Sequence, residues 1–318
     1  DSGNASSIDV DFVNNATALN GNDWAIDNIS LVRRDTQCVI SGKVFEDVNY
    51  GGGVGRNANT VGVRPINGAR VELYNSNGAF VSNTTTAADG SYSLNTVSTD
   101  NYYVRVVNDT VRSNRTGSNG TERGIQTYRT DGITEVINEV GGRKPTRVDT
   151  AANTTNQTLN TSTFQLSAGG QAQSVQLIPA NNKDTLGVNF GFNFSTVTNT
   201  NDSGQGSLRQ AIINANLLGN TGLAQPGSTY GVNTGLSREV LVFNIPAAND
   251  PLGRADICGG STCKITVTST LPAISAPLII DGTTQPGYTA GTPGIPHIQL
   301  SPVSGLDAIG LNVAYTAA

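Results

Sequence analysis

Val188, Phe190, Phe192 and Phe194 occupy every second position of one short run. A period of two gathers all four on one face of an extended strand, whereas a helix would scatter them around its axis. The same alternation recurs at 39–45, 68–74 and 102–107, and each run is bounded by glycine, asparagine or aspartate. Strong helix formers are scarce, while Asn occurs 35 times and Gly 37 times. The chain is therefore expected to be all-β, with short strands joined by polar turns.

The remaining composition excludes several classes. Nineteen Lys and Arg against 24 Asp and Glu give a net charge of −5, and the basic residues are scattered, which argues against nucleic acid as a partner. No apolar run is long enough to span a bilayer. Residue 1 is Asp, with neither a charged n-region nor an apolar h-region after it, so an export signal is expected to have been removed or left out. The 318 residues allow two or three domains with modest cores.

Three units are read along the chain. Residues 1–36 hold strand candidates at 8–13 and 24–31, the terminal strands of a jelly-roll-like module or a linker. Gly21-Asn22-Asp23-Trp24-Ala25-Ile26-Asp27-Asn28-Ile29-Ser30-Leu31 resembles the closing strand of bacterial jelly-roll, carbohydrate-binding-like modules. Residues 37–195 read as a β-sandwich. Its Asp89-Gly90 pair is expected to turn a hairpin between 79–82 and 91–94. Segment 109–185 reads as a long insertion with only weak strands, around 125–128 and 173–177, and 188–194 closes the sandwich. Ile40-Ser41-Gly42-Lys43-Val44-Phe45-Glu46-Asp47-Val48-Asn49 and Thr85-Thr86-Ala87-Ala88-Asp89-Gly90-Ser91-Tyr92 resemble, in this order, the B-type prealbumin-like (Ig-like) repeats of bacterial surface adhesins.

Residues 196–318 begin differently. From Ser207, the apolar positions Leu208, Ala211, Ile212, Ala215 and Leu218 fall at helical spacing, behind capping candidates at 202–204. Short strands then recur at 239–245, 264–267, 277–281 and 297–300, spaced by roughly 17 to 25 residues, a period expected of stacked solenoid coils. Val197-Thr198-Asn199-Thr200-Asn201-Asp202-Ser203-Gly204-Gln205-Gly206-Ser207-Leu208-Arg209-Gln210-Ala211-Ile212 resembles the CSLREA-type start of bacterial right-handed parallel β-helices, with Gly206 in place of the family's Cys and Gln210 of its Glu. Ile280-Asp281-Gly282-Thr283-Thr284-Gln285-Pro286-Gly287 resembles a coil of the same family. The resemblance implies that the helix caps the open solenoid end.

Few residues can carry chemistry. His297 is the sole histidine, which nearly excludes a Ser-His-Asp or His-metal constellation. Carboxylate-based cleavage of polysaccharides by a β-helix needs no histidine, but no carboxylate recurs at coil spacing, and Asp281 reads as a turn residue. Calcium suits the hard oxygen donors better. Asp47-Val48-Asn49 ahead of Gly51 has the D-x-N start of a calcium loop, yet no acidic residue closes it, so an Asx-turn remains equally open. Asp27 resembles, by its position, a calcium-binding Asp of jelly-roll modules.

Cys258 and Cys263 enclose a Gly-Gly-Ser-Thr loop, a spacing that favours a small disulfide over a redox C-x-x-C; Cys38 is left odd. Some adhesin sandwiches carry a Lys-Asn isopeptide bond promoted by a carboxylate. The corresponding residues would be Lys43, Asn193 and Glu72, but the usual acid motif is missing and Lys43 reads as a solvated strand residue. Twelve N-x-S/T sequons, Asn83, Asn153, Asn156 and Asn160 among them, follow from an Asn- and Thr-rich composition.

The expected function is that of a non-enzymatic, extracellular segment of a bacterial surface stalk, sheath, filament or adhesin. Its partners would be other copies of itself or neighbouring domains of a longer chain, since the apolar strands at 8–13 and 24–31 and the last coil lack cover of their own. The rivals are a carbohydrate-binding module, with glycans as partners, and a β-helical polysaccharide lyase or hydrolase.

Overall fold

The computed structural model describes residues 37–97, 100–149, 157–181, 183–226, 238–288, 297–303 and 311–313. The strand candidates at 8–13 and 24–31, and Asp27 with them, lie outside these. Mostly β structure with one short α-helix emerges, arranged in several sheets.

The first ten strands are β1 (Gln37–Glu46), β2 (Arg64–Pro65), β3 (Arg70–Asn75), β4 (Phe80–Thr85), β5 (Ser91–Val97), β6 (Tyr102–Val106), β7 (Ile125–Thr130), β8 (Glu135–Val136), β9 (Ser174–Ile178) and β10 (Phe190–Asn193). One sheet runs β2-β1-β10-β7-β8, with β5 also on β1, and the other runs β4-β3-β6-β9. Between them lies a core to which the first contributes Ile40, Val44, Leu94, Phe190 and Phe192, and the second Val71, Leu73, Val104 and Ile178. The four alternating residues from Val188 to Phe194 all point into it.

Strand β1 changes partners midway. Residues 37–43 run antiparallel to β5, and 44–46 run parallel to β10. Gly42 sits at the switch, where a Cβ would lie 1.8 Å from the carbonyl oxygen of Val188, so only glycine lets the two segments pass.

Asp89-Gly90 does turn the chain, with Gly90 at φ +76° and Asp89 Oδ1 accepting from the Ser91 amide, but it makes no hairpin. It carries the chain from β4 in one sheet to β5 in the other. The true hairpin joins β3 to β4 through Asn75, whose Oδ1 accepts from the amides of Asn77 and Ala79. A turn residue reports reversal, while strand partners are chosen by the buried faces.

Segment 109–185 supplies two strands to the sandwich, at the weak strand runs around 125–128 and 173–177. It places β7 beside β10 and β9 beside β6. All six positions of β7 are buried, and four of them are Gln126, Thr127, Arg129 and Thr130, so the alternation that marks a half-exposed strand is absent.

Beyond the sandwich come β11 (Thr196–Val197), α1 (Leu208–Leu217), β12 (Glu239–Phe243), β13 (Cys263–Val267), β14 (Leu278–Asp281) and β15 (Ile298–Pro302). Ser207 caps α1, its hydroxyl accepting from the Gln210 amide, and Leu208, Ala211, Ile212 and Ala215 are buried as the periodicity requires. Asp202, a capping candidate, instead holds Arg209 and Thr268.

Among the described residues of this unit all strand pairing is parallel, in the order β11-β12-β14 and β13-β15. Glu239 faces Leu278, 39 residues on; Cys263 faces Ile298, 35 residues on; an isolated bridge sets Ile274 against Val313, again 39 on. The shorter spacing seen in the sequence thus separates consecutive strands that belong to different sheets. From β12 onward, paired strands are next but one in sequence, whereas β11 and β12 pair as consecutive strands 46 residues apart in register.

Candidate functional site

The densest polar chemistry lies where the sandwich meets the parallel unit. The two share an apolar cluster, Tyr50, Ile125 and Val140 from one side and Val240 and Val242 from the other. Around it, side chains of the parallel unit bond to polar groups of the sandwich. Gln225 Nε2 donates to the Tyr50 carbonyl (3.0 Å) and its Oε1 accepts from the Val240 amide (2.8 Å). Asn244 Nδ2 donates to the Tyr50 hydroxyl (2.9 Å), and Asn214 Nδ2 to the Phe194 carbonyl (2.8 Å). Arg254 Nη1 donates to the carbonyls of Val140 (2.6 Å) and Gly142 (3.0 Å).

Arg115 joins three elements at this junction. Its guanidinium pairs with both carboxylate oxygens of Glu239 at the head of β12, its Nε donates to the Gly219 carbonyl beyond α1 (3.0 Å), and its Nη1 lies 3.5 Å from Glu46 Oε1 at the end of β1. All three charged side chains are at most 1% exposed. Glu46 Oε2 accepts from the Ser113 hydroxyl (2.6 Å), but its Oε1 has no hydrogen bond. Burial pushes the Glu46 carboxyl up from 4.5 to about 7, against the pull of Arg115 and Ser113 and with added repulsion from Glu239.

A second buried network braces the sandwich alone. Arg105 on β6 pairs with Glu72 on β3 (2.6 Å) and with Asp149, while Tyr74 (2.6 Å) and Arg70 (2.7 Å) complete the Glu72 carboxylate. Arg105, Glu72 and Asp149 are fully buried.

The candidates read from the sequence fall as follows. The Asp47 carboxylate is taken by the Arg56 side chain and amide, and Asn49 Oδ1 accepts from the Ala224 amide (2.7 Å), so their donors are committed within the protein. Both side chains thus make long-range contacts, to Arg56 and to Ala224, and neither closes a local Asx-turn through its carboxylate or amide oxygen. Among the described residues, no group of three or more His, Cys, Asp or Glu could hold a metal ion. Lys43 is exposed on β1 opposite Ser91, Glu72 lies in the other sheet, and the Asn193 amide bonds to the Asp47 carbonyl and to the Ser195 and Thr196 hydroxyls. These three are not brought together. Cys258 and Cys263 form a disulfide, and Cys38 is buried in β1. His297 packs its ring on Tyr288, with centroids 5.2 Å apart.

Beside the junction opens a cavity of about 500 Å³, walled by Gly53 and Val54 of the sandwich and, across from them, by Pro246, Pro251, Pro286 and the disulfide. Sequence reasoning missed both the Arg115 bridge and this cavity. Arg115 sits in an aperiodic stretch 124 residues from Glu239, with no spacing to link them.

No protein-family model matches the sequence, and no curated protein matches it. Among solved structures, the shaft pilin SpaA from Lactobacillus rhamnosus GG aligns with a TM-score of 0.25 at 10% identity, over 52% of this chain and 56% of the pilin. The major plantain pollen allergen Pla l 1 aligns with a TM-score of 0.23 at 12% identity, over 49% of this chain and 94% of the allergen. The chain thus spans little more than half the length of the pilin it matches. Among the described residues, no helix is long and apolar enough to cross a membrane.

Proposed function

We propose that this chain is a non-enzymatic, mechanical segment of an extracellular bacterial surface structure, such as a stalk, sheath, filament or adhesin. The observation that carries the reading is the junction: a buried Arg115–Glu239 pair and a shared apolar cluster tie a sandwich to a parallel sheet unit. A structure that transmits force needs its parts joined by contacts that water cannot reach, because exposed ion pairs contribute little. The parallel ladders β12–β14 and β13–β15, offset by 39 and 35 residues, support reading the second unit as the start of a β-helix with α1 as its cap. The Cys258–Cys263 disulfide supports an oxidising, exported setting.

Single-molecule pulling on the full chain tests this. The sandwich and the parallel unit are expected to yield in one event, and Arg115→Met to split it into two at lower force. Two separate events in the unaltered chain would refute the mechanical reading.

A further inference from the structure

The cavity beside the junction has a chemistry that the structural role does not use. Its charged wall groups are already neutralised: Asp250 pairs with Arg254 (2.8 Å), whose other donors reach the carbonyls of Val140 and Gly142. Asn244 and Gln285 are likewise occupied, by Tyr50 and by the Ile245 backbone. What remains along the wall is a set of uncharged polar side chains, Asn138, Asn249 and Ser261, together with His297; no hydrogen bond within the described chain engages any of them. Between these lie apolar surfaces, the prolines, Val54 and the disulfide, and the lining His297 ring packs edge to face on Tyr288 behind it.

A charged ligand would find no unpaired countercharge here and would lose its hydration. A purely apolar one would leave the half-buried Asn138 amide dry and unpaired, while Asn249 and Ser261 are exposed and offer hydrogen bonds to a ligand at little cost. A ring with apolar C–H faces and hydroxyls at its rim satisfies both kinds of wall at once, and about 500 Å³ lies in the range of small-ligand sites. We propose that this cavity binds a neutral saccharide of mono- or disaccharide size. The walls come from both units, so the site exists only where they are joined.

The test uses the full chain and an array of neutral mono- and disaccharides, followed by calorimetric titration of lactose, maltose, cellobiose and diacetylchitobiose, with glucuronate and glucosamine as charged counterparts. At least one neutral sugar is expected to bind and the charged ones to fail. Asn138→Ala or His297→Ala should weaken binding about tenfold, the loss of one hydrogen bond, with the melting midpoint unchanged. Ala247→Trp, which fills the cavity, should abolish binding. Absence of binding by every neutral sugar, equal binding of the charged counterparts, or binding indifferent to the Asn138 and His297 changes would overturn the proposal.

Discussion

Glu46→Gln should make the protein more stable at alkaline pH, and the size of the gain follows from the junction. In the folded chain the carboxyl is fully buried, with one oxygen unbonded and Glu239 competing for the same guanidinium. Its folded value of about 7 lies above the ordinary 4.5 of the unfolded chain. The folded state therefore holds the proton more tightly, and the stability this confers is fully present below pH 4.5 and lost as pH rises through 7. Between those limits the loss is about 3 kcal/mol.

Glutamine imitates the protonated acid. Its carbonyl can face Arg115 while its amide donates to the Ser113 hydroxyl, so the variant keeps both contacts without the charge. Urea unfolding followed by circular dichroism at pH 5 and pH 8 would measure the difference. Variant and parent should differ little at pH 5, and at pH 8 the variant should be more stable by about 3 kcal/mol, other titrating groups cancelling in the comparison. A constant difference across this range, or a variant weaker at pH 8, would refute the assignment of a protonated Glu46 at the junction.

Arg115→Met leaves Glu46 and Glu239 buried without their cation and should cost about 3–5 kcal/mol in the same unfolding assay at pH 8; a loss under 1 kcal/mol would show that the bridge is not buried as described. Replacing Cys258 and Cys263 together by serine should cost about 2 kcal/mol, the chain-entropy value for so short a loop, and intact mass after alkylation without reductant should show both thiols protected in the parent. Melts in chelator and in excess calcium should coincide, because Asp47 and Asn49 are committed to Arg56 and Ala224; a calcium-dependent rise abolished by Asp47→Asn would show that a metal displaces these partners.

What could be read from the sequence was decided by exposure. β1, β3, β6 and β10 declare themselves because apolar residues recur at every second position on the face that meets the core. The α1 stripe was equally plain, since one side of that helix is buried and the other polar. β7 shows only weakly in the sequence because it is buried at every position and places there Gln126 and Arg129, held by Glu139 and Gln176, as well as Thr127. The destination of the chain after Asp89-Gly90 was hidden for another reason, since a turn sequence carries no information about which sheet receives the next strand. The junction was the least visible part. Its charges sit at a strand end, in a loop and at a distant strand start, and only the folded topology brings them within reach of one another.

The same topology links the junction to the cavity. One wall belongs to the loop after β1 and to Asn138 after β8; the other belongs to the segments after β12, around the disulfide and after β14. Arg254 spans the two, since it pairs with Asp250 in its own unit and donates to carbonyls of the other. Any ligand held by both walls binds the joined state and not the separated one, so it stabilises the junction by mass action, by about 2.7 kcal/mol at a hundredfold excess over Kd. Linkage works in both directions: whatever weakens the Arg115 bridge lowers the population able to bind, and apparent affinity falls by the same factor. Glu46 lies on that bridge, so the proton it gains as pH falls toward 7 also favours the joined form, in which both walls of the cavity are present.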